Sequence, residues 1–292
     1  MKTKLMLVTL AFMMCMLIVA CTNTDVNNES TGTIETHVPT EYTTEITTEV
    51  TTILTEEVET EPIVFDPNIT FTCEYITDGE VMNHLLYAPS TASDSTSMPL
   101  IVWLHGSGER YGGGGLLIQS GLPNVLNNWE LEGFNAYVLC PHLTGKFGYS
   151  QWSSAGAAKS LKELLDKFIS EHNVDTDNII IVGHSLGGQG ALYMAHEMPE
   201  YFSKCVVLSG YHPGINISEI AIETIGYVGK ANAGEDPSSI NYMKNNFASA
   251  FEEDNFFIMP ASHGGVPKAT FSEDKDGNGR SDIIEWMLQD IH

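Results

Sequence analysis

A serine lies at the centre of the pattern in this chain that is best suited to chemistry. Residues 183–188 read Gly-His-Ser-Leu-Gly-Gly, so Ser185 has a glycine two positions before it and another two positions after it. Four β-branched residues, 179–182, precede the pattern and an Ala-containing run follows, which places the serine between a predicted strand and a predicted helix. A strained turn of this kind exposes a hydroxyl and needs glycines where backbone segments cross. We interpret Ser185 as a candidate nucleophile, with an ordinary strand-to-helix turn as the alternative.

A second pattern, near the C-terminus, is typical of calcium-binding loops. Residues 274–285 match the twelve-residue EF-hand loop, with glycine at position six and glutamate at position twelve. The candidate oxygen ligands are Asp274, Asp276, Asn278, Arg280 through its carbonyl, Asp282 and Glu285. The sequence shows no clear helix entering the loop and no paired second loop, and Ser281 replaces the usual aliphatic residue. We expect a single structural Ca²⁺ that pins the last helix, with an Asp-rich helix cap as the alternative.

The segments around these patterns alternate between short apolar strands and helices. Two strands, near residues 69–75 and 81–87, form a predicted hairpin around Asp78 and Gly79. The later predicted elements are strands at 100–105, 136–141, 179–182, 206–209, 225–228 and 256–259, and an amphipathic helix at 156–172. This alternation predicts an α/β fold with a doubly wound, mostly parallel sheet and helices on both faces. Ligands of such sheets bind beyond the carboxyl ends of the strands.

The chain from about residue 69 to its end resembles the α/β-hydrolase family. More narrowly, it resembles the small cap-less esterases and predicted peptidases related to polyhydroxybutyrate depolymerases and feruloyl esterases. Two motifs carry the resemblance: residues 183–188, and residues 103–110, which read Trp-Leu-His-Gly-Ser-Gly-Glu-Arg. The resemblance implies a nucleophile, an acid and a histidine in that order along the chain, and no cofactor for catalysis.

The resemblance points to His263 as the general base, because this histidine follows the predicted strand at 256–259 in a glycine-rich loop. His212 is the alternative base, although a histidine at its position more often lines the substrate pocket. The acid is expected after the strand at 225–228, where Asp236 matches the loop of the family and Glu235 is its nearest competitor. The acid would accept the second N–H of the histidine and so fix its tautomer.

Two backbone amides are expected to stabilise the oxyanion of the transition state. The amide of Leu186 follows the nucleophile directly, and the match to related esterases points to Ser107 for the second amide. The alternative for residues 105–108 is a merely flexible glycine turn. Trp152 follows the strand at 136–141 and is predicted to form an aromatic wall of the pocket, with a position in the core as the alternative.

The N-terminal part of the chain has the order of an export signal followed by a tether. Residues 1–20 carry two lysines and then an apolar stretch, and Cys21 follows small residues as in bacterial lipoproteins. We expect Cys21 to be lipidated, with an uncleaved anchor or a plain secretory signal as alternatives. Residues 21–62 are rich in Thr and Glu and contain no Lys or Arg, which predicts a disordered tether. A β-prone stalk is the alternative, and residues 63–292 form the catalytic domain.

The charge of the chain argues against some partners. The formal net charge of −25 disfavours nucleic acid and favours a well-solvated extracellular protein. Lipidation of Cys21 would hold it on the extracellular face of a bacterial membrane. Cys140 and Cys205 fall in apolar runs and are expected to be buried free thiols. The sequence therefore predicts a membrane-tethered, monomeric serine hydrolase that cleaves carboxylic esters of small molecules or polysaccharides. A serine peptidase and a non-catalytic surface binding module are the alternatives.

Overall fold

The computed structural model describes residues 65–77, 79–128, 133–144, 151–229, 237–250 and 255–289. All of these residues belong to one compact unit, Val58–His292. The predicted signal, Cys21 and the predicted tether lie outside the described residues, as does Asp78 of the predicted hairpin. None of the helices in the described ranges combines the length and the apolar character that a bilayer span requires.

Eight strands form one sheet in the order β1-β2-β4-β3-β5-β6-β7-β8. Strand β2 pairs antiparallel with both β1 and β4, and every later pairing is parallel. The strands are β1 (Phe71–Ile76), β2 (His84–Pro89), β3 (Met98–Leu104), β4 (Tyr137–Pro141), β5 (Val174–His184), β6 (Lys204–Leu208), β7 (Glu223–Gly229) and β8 (Phe256–Met259). The mostly parallel sheet predicted from the alternation of elements is confirmed.

Helices cover both faces of the sheet. They are α1 (Gly114–Leu117), α2 (Gly121–Asn127), α3 (Ala155–Glu171), α4 (Leu186–Glu197), α5 (Pro237–Ala250), α6 (Val266–Phe271) and α7 (Asp282–Leu288). One apolar core contains side chains of α3, α4 and α5, and the other contains side chains of α1, α2, α6 and α7. Neighbouring residues of a strand point into opposite cores, as the two-residue period of a strand requires. In β3, for example, Val102 lies in the first core and Trp103 in the second.

Several elements differ from their predicted bounds, and two of the differences have a clear physical reason. Strand β5 begins at Val174, five residues before the predicted start, because Val174 pairs with Met98 ahead of a register shift in β3. The intervening polar residues hide this extension from a search for apolar runs. Helix α6, which ends at Phe271, enters the predicted EF-hand loop, so the expectation that no helix enters it is wrong. This helix has only six residues, too few for a helical period to be visible in the sequence.

Candidate active site

Ser185 occupies a strained turn between β5 and α4. Its backbone has φ of 56° and ψ of −115°, and it is one of two non-glycine residues in the described part of the chain with positive φ; the other is Ser209. A non-glycine residue there is strained, and such strain is concentrated at functional sites. The Ser185 amide donates to the Leu208 carbonyl at 2.9 Å, which fixes the turn to the end of β6.

The glycines around Ser185 are required by packing. A methyl group on Gly183 would overlap the carbonyl oxygen of Gly187, and one on Gly187 would overlap the carbonyl oxygen of Leu104. The spacing of glycines in the motif therefore has a steric cause, because the first turn of α4 lies directly against the end of β3. Parallel pairing of Leu104 with Gly183 brings the loop after β3 to the same edge of the sheet as Ser185.

The two predicted oxyanion amides belong to these adjacent segments. Leu186 is the first residue of α4, and Ser107 lies on the loop after β3 at the start of a short 3₁₀ helix, Gly108–Tyr111. Within the described residues, neither amide N–H has a hydrogen-bond acceptor. Each is thus available to a ligand, which is what an oxyanion site requires.

A buried histidine holds the loop that carries Ser107. The amide of Leu143 donates to His105 Nε2 at 3.0 Å, so the proton of the neutral ring lies on Nδ1, which donates to the Gly106 carbonyl at 2.6 Å. Burial lowers the pKa of His105 to about 4, so the ring is neutral at pH 7. The loop after β3 is therefore a fixed structure, which argues against the alternative of a flexible glycine turn.

Trp152 lies in the core and does not form a wall of the pocket. Its side chain has no exposed surface, and its Nε1–H donates to the His105 carbonyl at 3.0 Å. A methyl group on Gly190 would overlap its Cβ atom, so Trp152 fills the space that this glycine of α4 leaves. The structure thus corrects the prediction of substrate contact and assigns Trp152 to the support of the His105 backbone.

His263 follows β8 and begins a short 3₁₀ helix, His263–Gly265, that leads into α6. Its carbonyl accepts a hydrogen bond from His184 Nε2 at 2.9 Å, and the two imidazole centroids are 4.9 Å apart. Because His184 directly precedes Ser185, the fold brings the predicted base next to the elbow. Ser185 and His263 are 78 positions apart in the sequence. Among the described residues, the Ser185 hydroxyl and the His263 ring make no hydrogen bond with each other; such bonds often tighten only when substrate binds.

His212, the alternative base, lies beyond the end of β6 and is partly buried. Its Nδ1 accepts a hydrogen bond from the Gly214 amide at 3.3 Å, and its ring lies 5.8 Å from that of Tyr193. Burial, together with the charge of His196, lowers the pKa of His212. Its Nδ1 thus serves its own loop, and pocket lining by His212 stays a prediction. The predicted acid, Asp236, and its competitor, Glu235, lie outside the described residues.

The acidic residues of loop 274–285 converge. Ligand atoms of Asp274, Asp276 and Asp282 all lie within 4.8 Å of one another, on a mostly exposed surface. Asp274 Oδ1 also accepts from the amide of Gly277 at 2.8 Å, so the loop curls around this carboxylate. Glu285, on the first turn of α7, contacts the Asn278 amide nitrogen at 3.1 Å and Arg280 at 3.3 Å. Carboxylate and amide oxygens suit Ca²⁺, so these residues fit that ion.

Two further histidines, His142 and His184, lie beside the site and were not among the residues predicted for it. His142 Nε2 donates to the Glu109 carbonyl at 3.0 Å and its Nδ1 accepts from the Tyr75 hydroxyl at 2.7 Å, so His142 ties the 3₁₀ helix after Ser107 to β1. His184 contacts the loop of His263. Both contacts join segments far apart in the chain, so a search of one sequence offers no signal for them.

Comparisons with known proteins agree with this architecture. Residues 124–252 match the model of the Esterase family, a stretch that includes Ser185 but neither Ser107 nor His263. No curated protein sequence matches the chain significantly.

Among solved structures, the chain is similar to a thermostable esterase, with a TM-score of 0.53 and 18% sequence identity over 77% of this chain. This chain spans only 63% of the length of that esterase. It is also similar to the feruloyl esterase module from Clostridium thermocellum, solved as a serine-to-alanine mutant with sinapinate. That likeness has a TM-score of 0.52 and 15% identity, and covers 80% of this chain and 96% of the module.

The strand order and the strained serine between β5 and α4 agree with the α/β-hydrolase fold of these solved esterases, and the match to the Esterase family covers residues 124–252, less than half of the chain.

Proposed function

We propose that this protein is a serine hydrolase, tethered to the outer face of a bacterial membrane, that cleaves carboxylic esters through an acyl-enzyme. The observation that carries the proposal is the left-handed backbone of Ser185, with the unpaired Leu186 amide beside it. A feature this strained persists only where the surroundings enforce it, and here it presents a hydroxyl next to an available N–H donor.

The proposed reaction has two halves. The Ser185 hydroxyl attacks the ester carbonyl while His263 accepts its proton, and the amides of Ser107 and Leu186 stabilise the oxyanion. The protonated His263 then donates its proton to the leaving alcohol. In the second half, water attacks the acyl-enzyme while His263 accepts its proton, and the carboxylic acid is released from Ser185. Asp236 orients His263 and stabilises its positive charge. The family match and the two solved esterases support an ester as the substrate, and the feruloyl esterase suggests acyl groups on polysaccharide.

The function is tested with a panel of short acyl esters, feruloyl esters and peptides. We expect ester hydrolysis, and a fall in kcat of about 10⁶-fold in Ser185→Ala, as for other serine hydrolases. Ser209→Ala is the matched control, because Ser209 also has positive φ and is buried, yet lies at the end of β6. Hydrolysis of peptides alone would replace the esterase with a peptidase. A folded wild-type protein without any turnover would favour the binding module.

The acid is tested by two conservative substitutions. Asp236→Asn should lower kcat by about 10⁴-fold, because the amide holds the wrong tautomer of the histidine. Glu235→Gln changes the neighbouring carboxylate in the same way and should leave kcat within about twofold, because a single carboxylate, here Asp236, orients the histidine of a triad. The reverse result would move the assignment to Glu235.

We also propose a structural Ca²⁺ at loop 274–285 and a lipid anchor at Cys21. The convergence of Asp274, Asp276 and Asp282 supports the ion, which would join α6 to α7 and take no part in the chemistry.

The order of charged, apolar and small residues before Cys21 supports the lipid anchor. Metabolic labelling with palmitate should mark the wild type and not Cys21→Ala. An unlabelled wild type would contradict the anchor.

A further inference from the structure

His184 touches both loops that complete the proposed active site. On one side its Nε2 donates to the His263 carbonyl at 2.9 Å. On the other side its Nδ1 faces the loop after β3, since it lies 3.7 Å from the position that a Cβ on Gly106 would occupy. Its backbone continues β5 and leads directly to Ser185. One imidazole thus adjoins the segments that carry the nucleophile, the base and an oxyanion amide.

The imidazole of His184 is neutral, which suits this position. Burial, and then the neighbouring charge of His263, lower the pKa of His184 to about 4. A neutral imidazole has one N–H, and the partner of Nε2 is the His263 carbonyl, which can only accept, so Nε2 carries the proton and donates it. The ring centroid of His263 lies 4.9 Å away and becomes positive during turnover. A charged neighbour at that distance would oppose this protonation, whereas a neutral ring does not.

We propose that His184 is a positioning residue, whose Nε2–H holds the backbone of His263 so that the catalytic imidazole reaches the Ser185 hydroxyl. This inference rests on the proposed function, because it requires His263 to act as the base on Ser185. His184 itself does not contact the reacting atoms in this account. Its effect should therefore appear in the rate of the chemical step and not in substrate binding.

Two amide variants of His184, which differ in length, test whether the hydrogen bond to His263 matters or merely a polar side chain at this position. His184→Gln keeps an N–H donor at about the reach of Nε2, whereas His184→Asn carries the same amide on a side chain one methylene shorter. His184→Phe keeps a ring without any donor. Active sites are counted with a fluorophosphonate, so that kcat and KM for p-nitrophenyl acetate refer only to folded, reactive enzyme.

We expect kcat per active site to fall on the order of 10-fold in His184→Asn and His184→Phe, the effect of one lost hydrogen bond in a positioned site. KM should stay within about twofold, and His184→Gln should recover most of kcat. Equal kcat per site in the Gln, Asn and Phe variants, with the wild type labelled and active, would overturn the role of His184 alone. A folded wild type that is neither labelled nor active would overturn the proposed function and this role with it.

Discussion

The nucleophile elbow (residues 183–188) and the acidic loop (residues 274–285) are both tight turns that lead into a helix, but different forces hold them. In the elbow, glycines let backbone atoms of β3, β5 and α4 meet at van der Waals distance, and the interior leaves no room for a methyl group at Gly187. In the acidic loop, Gly277 and Gly279 have open space around them, and carboxylates accept the backbone amides instead.

Because different forces hold the two turns, their stability should depend differently on ions in solution. Steric packing does not depend on ions in solution, so the elbow is preorganised whenever the sheet is folded. Three carboxylates brought within 4.8 Å of one another repel, so we expect the proposed Ca²⁺ to stabilise the acidic loop. The first turn carries the proposed nucleophile, and the second leads into α7.

The largest effect expected from this comparison is that of a methyl group on a glycine of each turn. Gly187→Ala should lower the free energy of unfolding by about 4 kcal/mol or more, because backbone must move to admit the methyl group. Gly279→Ala should cost about 1 kcal/mol, the price of a side chain at φ of 82° in open space. Urea denaturation of the two variants measures both. Equal losses would contradict the steric account of the elbow.

Low pH should lower the free energy of unfolding through His184, by less than the Gly187→Ala substitution does. The pKa of His184 is lowered to about 4 in the folded protein, and an unfolded histidine titrates near 6.5. Between these values the unfolded chain binds more protons, so stability is complete above about pH 6.5 and falls as the pH decreases toward 4. The loss reaches about 3 kcal/mol at most for this histidine.

The pH dependence of unfolding checks this expectation. His184→Gln should flatten the decline between pH 6.5 and 4, with the contribution of His105 remaining because burial lowers its pKa in the same direction. A decline of equal steepness in wild type and variant would show that His184 does not titrate differently in the two states.

Calcium should stabilise the protein by less than these elbow effects, and only through the acidic loop. Free Ca²⁺ at tenfold its Kd stabilises a one-site protein by about 1.4 kcal/mol, or a Tm increase of roughly 3 to 6 °C for a domain of this size. Asp274→Ala should abolish the shift between Ca²⁺ and EDTA. Asp175→Ala is the control, because Asp175 also accepts a local backbone amide but lies outside the loop. A shift that survives in Asp274→Ala would contradict the site.

Much of this architecture follows from local patterns in the sequence. The strand at Phe256–Met259 has its predicted bounds, and burial of Cys140 and Cys205 as free thiols is confirmed. Both follow from apolar runs in the sequence, although only the strands of Cys140 and Cys205 are buried on both faces, whereas β8 is an edge strand that leaves Ile258 exposed. The glycines of the elbow are equally visible because they form one contiguous motif, although Gly187 is required by a contact with Leu104 on β3.

The features that could not be predicted from the sequence depend on contacts between residues far apart in the chain. Trp152 lies before α3 and is buried because Gly190 of α4 leaves room for its side chain, and no local pattern around Trp152 encodes that space. The contact of His184 with the His263 carbonyl joins positions 79 residues apart. Helix α6 is too short for a periodic signal and is stabilised by packing of Val266 and Phe271 into the core.

Covalent labelling identifies the nucleophile, which we propose is Ser185. Folded wild-type protein is treated with a fluorophosphonate, and the modified residue is located by mass spectrometry of its peptides. We expect a single adduct on Ser185, absent from Ser185→Ala and retained in Ser209→Ala. A folded protein that takes up no label, or takes it up at another residue, would contradict this proposal.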